Sequence, residues 1–535
     1  MRRWVIAGWL TCAVVVSRGQ ASPQLCQPGD VIARIVIERV PVFDPAVPGE
    51  NKPFFRLVNK LHSPMQTRLG TVRSLLTVKE GEPCDPERLR EAERTLRSYG
   101  FIQDAWVEAD YRDGHDVTVL VRVRDAWSTR ARVSFKHQGG ASESTFKVLE
   151  NNLLGTGTTL AWERSKDQDR TESLFQFRDP SVLGSRWVFE ADMADNSDGH
   201  LNHGRIALPF WRLEASRSAD FGFTSQLADR KVYDGGDEVA RWELDREDDW
   251  IRLGMAPFGL RGNQVFRWYA GLSRRAEDWT YRRKDVPGFK PPDSDLTMLE
   301  GTLQWQRIDY RRVYHYLSAR RIEDFDLGTT LQATAKVAIP GVSEDGGGEF
   351  SAVARHGFEV GDGTFFVLDA SQVLRNVEST WFASSTRLDA ECYRRLAFRH
   401  TLVFAATAAH GSRIPGPDRH LLGGDTGLRG YPSREFSGSD MLLAKVEHRY
   451  FAPWEAFHLL RFGLVSFFEA GGAWDEDRPL SWAEIHPDIG VGLRAQLLRS
   501  SGATTIHFNV AYPLDPNGVA DGRGWEFSVL TAGGF

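Results

Sequence analysis

The segment 421–436, LLGGDTGLRGYPSREF, surrounds one arginine with glycines and apolar residues. Arg429 lies between Leu428 and the pair Gly430–Tyr431. A guanidinium is a planar fork of five N–H donors, which suits the recognition of carboxylates or phosphates. A nucleotide-binding P-loop does not fit, because Lys and Ser or Thr must follow its last glycine and a tyrosine follows here.

The sequence supports no catalytic chemistry. It contains neither the Gly-x-Ser-x-Gly motif of serine hydrolases nor the His-Glu-x-x-His motif of zinc proteases. The fourteen histidines are scattered, and we interpret His356, His410 and His420 as rim or loop residues. We therefore expect no enzyme, no metal site and no cofactor.

The cysteines leave two interpretations open. Beyond the first twenty-one residues the chain has Cys26, Cys84 and Cys392, whose spacing fits no zinc site. Cys26 and Cys84 could form a disulfide in an oxidising compartment. We favour the alternative, that all three are unrelated small hydrophobic residues.

Charge and the N-terminus limit the class of protein. The net charge of −6 gives no support for nucleic-acid binding. Two arginines, a short apolar run and a small-residue site before residue 22 predict a signal peptide at residues 1–21. Beyond it, no apolar run is long enough for a spanning helix. We expect the protein to leave the cytoplasm.

Residues 30–125 differ in pattern from the rest of the chain. Residues 31–43 are rich in valine and isoleucine and predict a strand, and residues 53–61 predict a short amphipathic helix. Two further strands, at residues 105–111 and 117–124, flank an Asp-Gly turn. With a second helix before them, the order β-α-α-β-β predicts a small α+β domain.

The second helix has the clearest end signals. Asp85 suits the N-cap and Pro86 the first helical position, and Gly100 suits the position after the C-cap. Leu89, Ala92 and Leu96 form one apolar stripe. The strands of the same unit must cover this stripe.

Residues 127–535 alternate polar and apolar residues in segments separated by turns rich in Gly, Asp and Ser. This period of two predicts strands, and their combined length exceeds that of a soluble sandwich. A closed antiparallel barrel in lipid accounts for them, because closure removes every unpaired edge. We count 18–20 candidate strands, assign some to loop hairpins, and predict a barrel of 16 strands.

The last strand has an aromatic face. Trp525, Phe527 and Val529 are in phase with Phe535, although the face is weak at Thr531 and Gly533. We interpret these four residues as the C-terminal strand signal of an outer-membrane barrel.

Taken in order, the motifs resemble the BamA/TamA superfamily of outer-membrane assembly factors and translocators, also called bacterial surface antigens. The resemblance rests on ENNLLGTGTTL, FRDPSVLG, GGDTGLRGY, AKVEHRYF, SFFEAGGAW, GVGLRA, IHFNVAYPL and FSVLTAGGF. It implies that residues 30–125 are a single POTRA-like periplasmic domain, whereas the essential assembly factors of the family carry several.

The resemblance also assigns a place to the arginine motif. In the family this loop folds into the barrel lumen, and its arginine contacts carboxylates of neighbouring strands. Alternation turns Glu447 and Glu469 into the lumen as the implied anchors, and Asn509 replaces an aspartate common in the family. The implied loop motif comprises Gly423, Gly424, Leu428, Arg429, Gly430 and Tyr431.

The implied function is assistance to protein insertion, assembly or translocation at the outer membrane. Its partners would be outer-membrane lipid, unfolded or exported protein substrates, and a periplasmic or inner-membrane protein at the POTRA-like domain. An edge such as residues 117–124 would bind an incoming chain, and the seam between the first and last strands would open. The alternative is a plugged passive pore or a structural outer-membrane protein without insertase activity.

Overall fold

The computed structural model describes residues 26–532 except 139–140, 285–290, 317–322, 362, 379, 458, 499–504 and 516–523. The expected signal peptide and Phe535 lie outside the described residues. No helix in the described ranges is long and apolar enough to cross a membrane.

The N-terminal unit is a three-stranded sheet covered by helices. Its elements are β1 Val31–Val40, α1 Pro53–His62, α2 Leu69–Leu75, α3 Pro86–Ser98, β2 Ile102–Asp113 and β3 Asp116–Asp125. The sheet order is β1-β3-β2, with β1 parallel and β2 antiparallel to β3. The expectation that β3 offers a free edge is wrong, because hydrogen bonding to strands on both sides occupies it.

The helix α3 begins as the sequence predicts. The Glu87 backbone N–H donates to the Asp85 side chain at 2.8 Å, and Leu89, Ala92 and Leu96 are buried. Its end differs from the prediction, since Gly100 does not adopt positive φ. The helix stops because Tyr99 takes an extended conformation, with φ −77° and ψ 123°.

A disulfide joins Cys26 and Cys84, so the interpretation of these two residues as unrelated small hydrophobes is wrong. The Cys84 backbone N–H donates to the Asp30 carbonyl at 2.9 Å, which brings the segment before α3 beside the start of β1. The spacing of the cysteines in the sequence does not predict this close approach.

The rest of the described chain is an antiparallel barrel that closes between its last strand, Glu526–Ala532, and its first strand, Thr129–Gln138. Twenty strands form its wall, and a two-residue strand, Leu260–Arg261, extends it. Two further strand pairs are separate small sheets: Tyr310–Val313 with Glu323–Asp326, and His420–Leu422 with Phe436–Gly438.

The strands after the N-terminal unit are β4 Thr129–Gln138, β5 Ala141–Leu153, β6 Thr158–Lys166, β7 Thr171–Asp179, β8 Val188–Asn196, β9 Gly199–Leu208, β10 Arg217–Asp234, β11 Asp237–Met255, β12 Leu260–Arg261, β13 Gln264–Lys284, β14 Ser294–Arg307, β15 Tyr310–Val313, β16 Glu323–Asp326, β17 Thr329–Ala338, β18 Gly347–Glu359, β19 Thr364–Val377, β20 Thr380–Ala397, β21 His400–Ser412, β22 His420–Leu422, β23 Phe436–Gly438, β24 Asp440–Ala456, β25 Leu460–Trp474, β26 His486–Leu497, β27 Thr505–Pro513 and β28 Glu526–Ala532. Short 3₁₀ turns occupy Ser63–Met65, Val182–Gly184, Gly416–Asp418 and Trp482–Glu484.

The predicted count of 16 wall strands was too low. Long hairpins such as β10–β11, with strands of 18 and 19 residues, are continuous with the wall and add to its strand count. A spanning strand needs about 9–11 residues, so such hairpins extend beyond the hydrocarbon. Their outward residues, including Phe223, Ile251 and Leu253, join the exposed apolar surface of the barrel.

The N-terminal unit lies across one mouth of the barrel. It contacts turns at the end where β4 begins, and these turns are spread over much of the circumference. The contacts include Thr71 Oγ1 to the Gly155 carbonyl (2.8 Å), Arg186 Nη2 to the Leu76 carbonyl (2.6 Å), Arg88 with Glu214 (2.6 Å), and Gln103 Nε2 to the Leu498 carbonyl (3.1 Å).

We expect residues 26–125 to fold alone, because every residue of their main core cluster lies between Cys26 and Val123. In this fragment Leu96→Ala should lower the free energy of unfolding by about 2–5 kcal/mol through lost burial and a residual cavity. Arg90→Ala, at an exposed ion pair with Glu87, is the matched control and should cost about 0–1 kcal/mol. Urea unfolding followed by circular dichroism measures both, and a random-coil spectrum of the wild-type fragment would contradict the expectation.

Ionisation of the buried Asp125 carboxyl should make the N-terminal unit less stable as pH rises. Burial raises the pKa of its carboxyl to about 6, although Thr67 Oγ1 donates to it at 2.6 Å. A raised folded-state pKa gives stability that is fully present below the unfolded value of 3.8 and is lost as pH passes through 6. Between pH 5 and 7.5 the loss should be about 1.4 kcal/mol.

Hydrogen exchange of the β3 amides in the intact chain measures this loss. Comparison with Asp125→Asn at each pH cancels the intrinsic pH dependence of exchange. Protection of wild type relative to the variant should fall about tenfold over the interval. A ratio independent of pH would show that Asp125 has an ordinary pKa.

Candidate functional site

The connection between β21 and β24, residues 413–439, folds into the barrel, and we call it the lumen loop. Its short strands β22 and β23 pair with each other. Leu428 and Tyr431 are fully buried in a cluster with Leu422 of the same loop and with wall residues such as Leu443 and Ala473. Burial of these apolar side chains holds the loop against the inner wall of β24 and β25.

A glycine turn shapes the loop ahead of the arginine. The Gly423 carbonyl accepts hydrogen bonds from the backbone N–H groups of Gly427 and Leu428 at 2.8 and 2.9 Å. The Gly424 N–H donates to the Pro432 carbonyl at 2.9 Å. A Cβ on Gly423 would lie 2.3 Å from that carbonyl oxygen, so a side chain there would force the two arms of the turn apart.

Arg429 binds two carboxylates of neighbouring strands. Its Nη2 donates to Glu447 at 2.7 Å and its Nε donates to Glu469 at 3.0 Å. The Arg429 backbone N–H donates to the second oxygen of Glu469 at 2.9 Å, and the guanidinium carbon lies 3.5 Å from the centre of the Phe467 ring. The structure thus brings together the three residues that the resemblance had linked.

A third carboxylate, Asp488, completes the site. Glu469 and Asp488 face each other directly across β25 and β26, and both are fully buried. Like charges in this position repel. The Gly430 N–H donates to Asp488 at 2.9 Å, and a Cβ on Gly430 would lie 2.7 Å from the Asp488 Cβ.

Sequence reasoning missed Asp488 because its depth depends on strand register. Tyr431 adds a contact at the same place, since its hydroxyl donates to the Pro487 carbonyl at 2.8 Å. Register with β25 places Pro487 and Asp488 opposite Ala470 and Glu469. Alternation alone gives the face of a strand and leaves its depth undefined.

Wall cations balance the carboxylates. Arg449 donates through Nη2 to Glu447 at 2.8 Å, and Lys445 Nζ lies 3.6 Å from Glu469. Lys445 and Arg449 lie two residues before and after Glu447 in β24, so strand alternation places all three on the lumen face. Together with Arg429 they form a network in which each carboxylate has a cation or an N–H donor.

A second arginine attaches the lumen loop to another part of the wall. Arg434 donates to both oxygens of Asp169 at 2.8 and 2.7 Å, and its guanidinium carbon lies 4.4 Å from the Tyr233 ring centre. Asp169 lies in the β6–β7 turn, several strands away from β24 around the barrel. The loop therefore spans the lumen from one side to the other, which no motif in the sequence indicated.

A second inward segment enters from the opposite mouth. The connection between β14 and β17 carries β15 and β16, and we call its described residues, 308–316 and 323–328, the inner hairpin. Thr401 Oγ1 donates to the His315 carbonyl at 2.7 Å, and the Tyr316 hydroxyl donates to the Gly363 carbonyl at 2.9 Å. Tyr316 and Phe325 pack on inward residues of β19, β20 and β21.

A pair of wall residues, Glu447 and Arg449, links the two inward segments. Arg449 pairs with Glu447 through Nη2, and its Nη1 donates to the Tyr316 carbonyl at 3.3 Å. At its other end the hairpin binds the N-terminal unit, since Arg97 donates to both oxygens of Asp324 at 2.9 and 2.7 Å. Contacts therefore run without interruption from α3 through the hairpin to the lumen loop.

The residues proposed as a C-terminal signal lie on the outside of the barrel. Trp525, Phe527 and Val529 are exposed at or within β28, and Phe535 lies outside the described residues. On the inner side Asn509 accepts from Arg494 Nη1 at 2.7 Å and donates to Ser528 at 3.1 Å. The substitution of Asn509 for the family's aspartate thus keeps a hydrogen bond to a buried arginine.

The comparisons with known proteins agree with the sequence resemblance. Residues 358–530 match the Omp85 superfamily domain, which includes the lumen loop, its anchors and most of the last strand. No curated protein matches the chain. This match bears out the sequence resemblance over residues 358–530, and the chain carries an Omp85 superfamily domain in an outer-membrane barrel.

Solved structures of three similar proteins cover most of the chain. BamA from Haemophilus ducreyi lacking POTRA domains 1–3 is 13% identical to this chain. The alignment covers 93% of this chain and 84% of the BamA chain, with a TM-score of 0.38. CdiB from Escherichia coli is 14% identical, with coverages of 94% and 77% and a TM-score of 0.47. CdiB from Acinetobacter baumannii is 12% identical, with coverages of 94% and 74% and a TM-score of 0.44.

Loss of Arg429 should destabilise the barrel through its carboxylates. Losing one partner of a buried ion pair costs about 3–5 kcal/mol and losing an exposed one about 0–1, so Arg429→Ala should fall between these limits. Arg429→Lys should rescue partly, because an ammonium cannot bridge two carboxylates as a fork does. Glu447→Gln with Glu469→Gln should be milder and should remove most of the extra cost of Arg429→Ala.

Thermal unfolding in detergent, with protease cleavage of the lumen loop, measures this mutant cycle. Arg355→Ala is the matched control, because Arg355 pairs with Asp369 at 3.0 Å with both side chains partly exposed. It should change the unfolding temperature little. Additive effects of the Arg429 and glutamate substitutions would show that the residues do not interact.

Proposed function

We propose that this chain is a gated barrel that handles unfolded or exported proteins at the outer membrane. The observation that carries the proposal is that two segments of the same chain lie inside the barrel, each held by ion pairs, and are linked through the wall pair Glu447–Arg449. The Omp85 superfamily domain supports insertion or translocation of proteins as the general activity. We place the N-terminal unit, as a POTRA-like domain, in the periplasm.

Two surfaces could receive a protein substrate. β2 is at the edge of the N-terminal sheet, and within the described residues its backbone ladder is formed with β3 alone. An extended chain could add to this edge by β-augmentation. The second surface is the seam, where β28, with 7 residues, meets β4, with 10.

Opening of the seam would expose backbone donors and acceptors to hydrocarbon. Unpaired groups there cost several kcal/mol each, so an incoming strand would be bound strongly. The reaction is an exchange of hydrogen-bonded strands, and it requires no covalent chemistry, nucleotide or cofactor. A periplasmic or inner-membrane partner would bind at the N-terminal unit.

The alternative is a plugged passive pore, and folding kinetics separate the two. The intact chain in phospholipid vesicles should accelerate folding of a urea-unfolded outer-membrane barrel several-fold over vesicles without it. A variant with the seam closed by a disulfide between β4 and β28 should lose the acceleration and regain it on reduction. Equal folding rates with and without the chain would favour the passive pore.

Single-channel conductance tests whether the lumen loop and the inner hairpin each constrict the barrel. Replacing the lumen loop, residues 413–439, by a short Gly-Ser turn should raise conductance only moderately, because the inner hairpin still constricts the path. Replacing residues 309–327 alone should likewise have a moderate effect. Removing both should raise conductance by more than the sum of the two increases, since constrictions in series limit flow independently. Full opening by the first deletion alone would contradict a second gate.

A further inference from the structure

The helix α1 presents an apolar stripe that no described part of the protein covers. Phe54, Leu57 and Leu61 are 55, 54 and 63% exposed. Their spacing of three and four residues places them on one side of the helix. Singly exposed apolar residues are ordinary, but three in a row on one helix mark a contact surface.

The other apolar side of α1 attaches the helix rigidly to the rest of the protein. Phe55 is buried and stacks on Phe43 with ring centres 4.4 Å apart, and His62 lies 5.5 Å from the Trp127 ring. Leu459, in the turn between β24 and β25, packs against the same cluster. The helix therefore lies at the rim of the barrel, between the start of β4 and the β24–β25 turn.

This part of the rim carries exposed aromatic residues. Trp454 near the end of β24 is 56% exposed, and Phe457 in the adjoining turn is 80% exposed. Further up the outer wall, Leu464 of β25 continues the exposed apolar surface. Aromatic residues gather at the headgroup level of membrane barrels, so the rim beside α1 lies at the membrane interface.

Basic residues flank the stripe. Lys52, Arg56 and Lys60 recur every four residues on the polar side of α1, and all three are exposed. In the described part of the chain none of them forms an ion pair with a carboxylate. An apolar stripe bordered by lysine and arginine is the pattern of a helix that lies in a lipid interface, with the cations at the phosphates.

We infer that α1 is an interfacial membrane helix, which inserts Phe54, Leu57 and Leu61 into the phospholipid leaflet at the mouth occupied by the N-terminal unit. Lys52, Arg56 and Lys60 bind the phosphate groups of that leaflet. The helix thereby holds the N-terminal unit flat beneath the barrel beside the β28–β4 seam. The inference requires the outer-membrane location and does not depend on the proposed handling of proteins.

Spin labels on the intact chain test this placement. In a Cys392→Ser background, Leu57→Cys and Leu61→Cys carry the label on the stripe and Arg56→Cys carries it on the polar side of the same helix. Tyr111→Cys, at an exposed position at the far end of β2, is a second control. All four positions are exposed, so the variants should keep the fold. Formation of the native Cys26–Cys84 disulfide and an unchanged unfolding temperature of the barrel would verify this.

The protein is reconstituted in vesicles of phosphatidylethanolamine and phosphatidylglycerol, and relaxation by oxygen and by a water-soluble nickel chelate is compared. Labels at Leu57 and Leu61 should be at least several-fold more accessible to oxygen than to nickel, and labels at Arg56 and Tyr111 should show the reverse. High nickel accessibility at Leu57 would place the stripe in water and overturn the inference. Low accessibility to both reagents would also overturn it, because a protein surface would then cover the stripe.

Discussion

The pair Glu469 and Asp488 is the constraint on which the interior of this barrel depends. Two buried carboxylates face each other across neighbouring strands, where water is displaced and repulsion is strong. Within the described residues, the wall supplies this pair with one cation, Lys445, whose Nζ lies 3.6 Å from Glu469. The missing donors come from the lumen loop, through the guanidinium of Arg429 and the N–H groups of Arg429 and Gly430. The wall and the loop therefore stabilise each other.

This dependence extends to the opposite mouth. Arg449 shares Glu447 with Arg429 and also binds the inner hairpin, whose Asp324 is held by Arg97 of α3. A continuous series of side-chain and backbone contacts thus joins the N-terminal unit to the lumen loop.

Much of the architecture follows from periodicity and end signals in the sequence. Alternation predicted the barrel and placed Glu447 and Glu469 on the lumen face, and Asp85 with Pro86 fixed the start of α3. The features that the sequence did not predict correctly depend on contacts between segments that are distant in sequence. Asp488 and the central position of β3 depend on strand pairing, and the disulfide depends on the approach of Cys84 to β1. The inner hairpin and Arg434 contact residues far away in sequence, so no local pattern identifies them.

Exchange of the backbone amides of Arg429 and Gly430 in the intact chain, reconstituted in vesicles, tests the central claim most directly. Both amides donate to buried carboxylates, so they should exchange as slowly as amides in the middle of β24 and β25. Slow exchange should be lost in Glu469→Gln combined with Asp488→Asn, while amides of β10 and β11 stay protected. Exchange of Arg429 and Gly430 in the wild type at the rate of the exposed turn at residues 341–346 would contradict the account, because the loop would then not be anchored in the lumen.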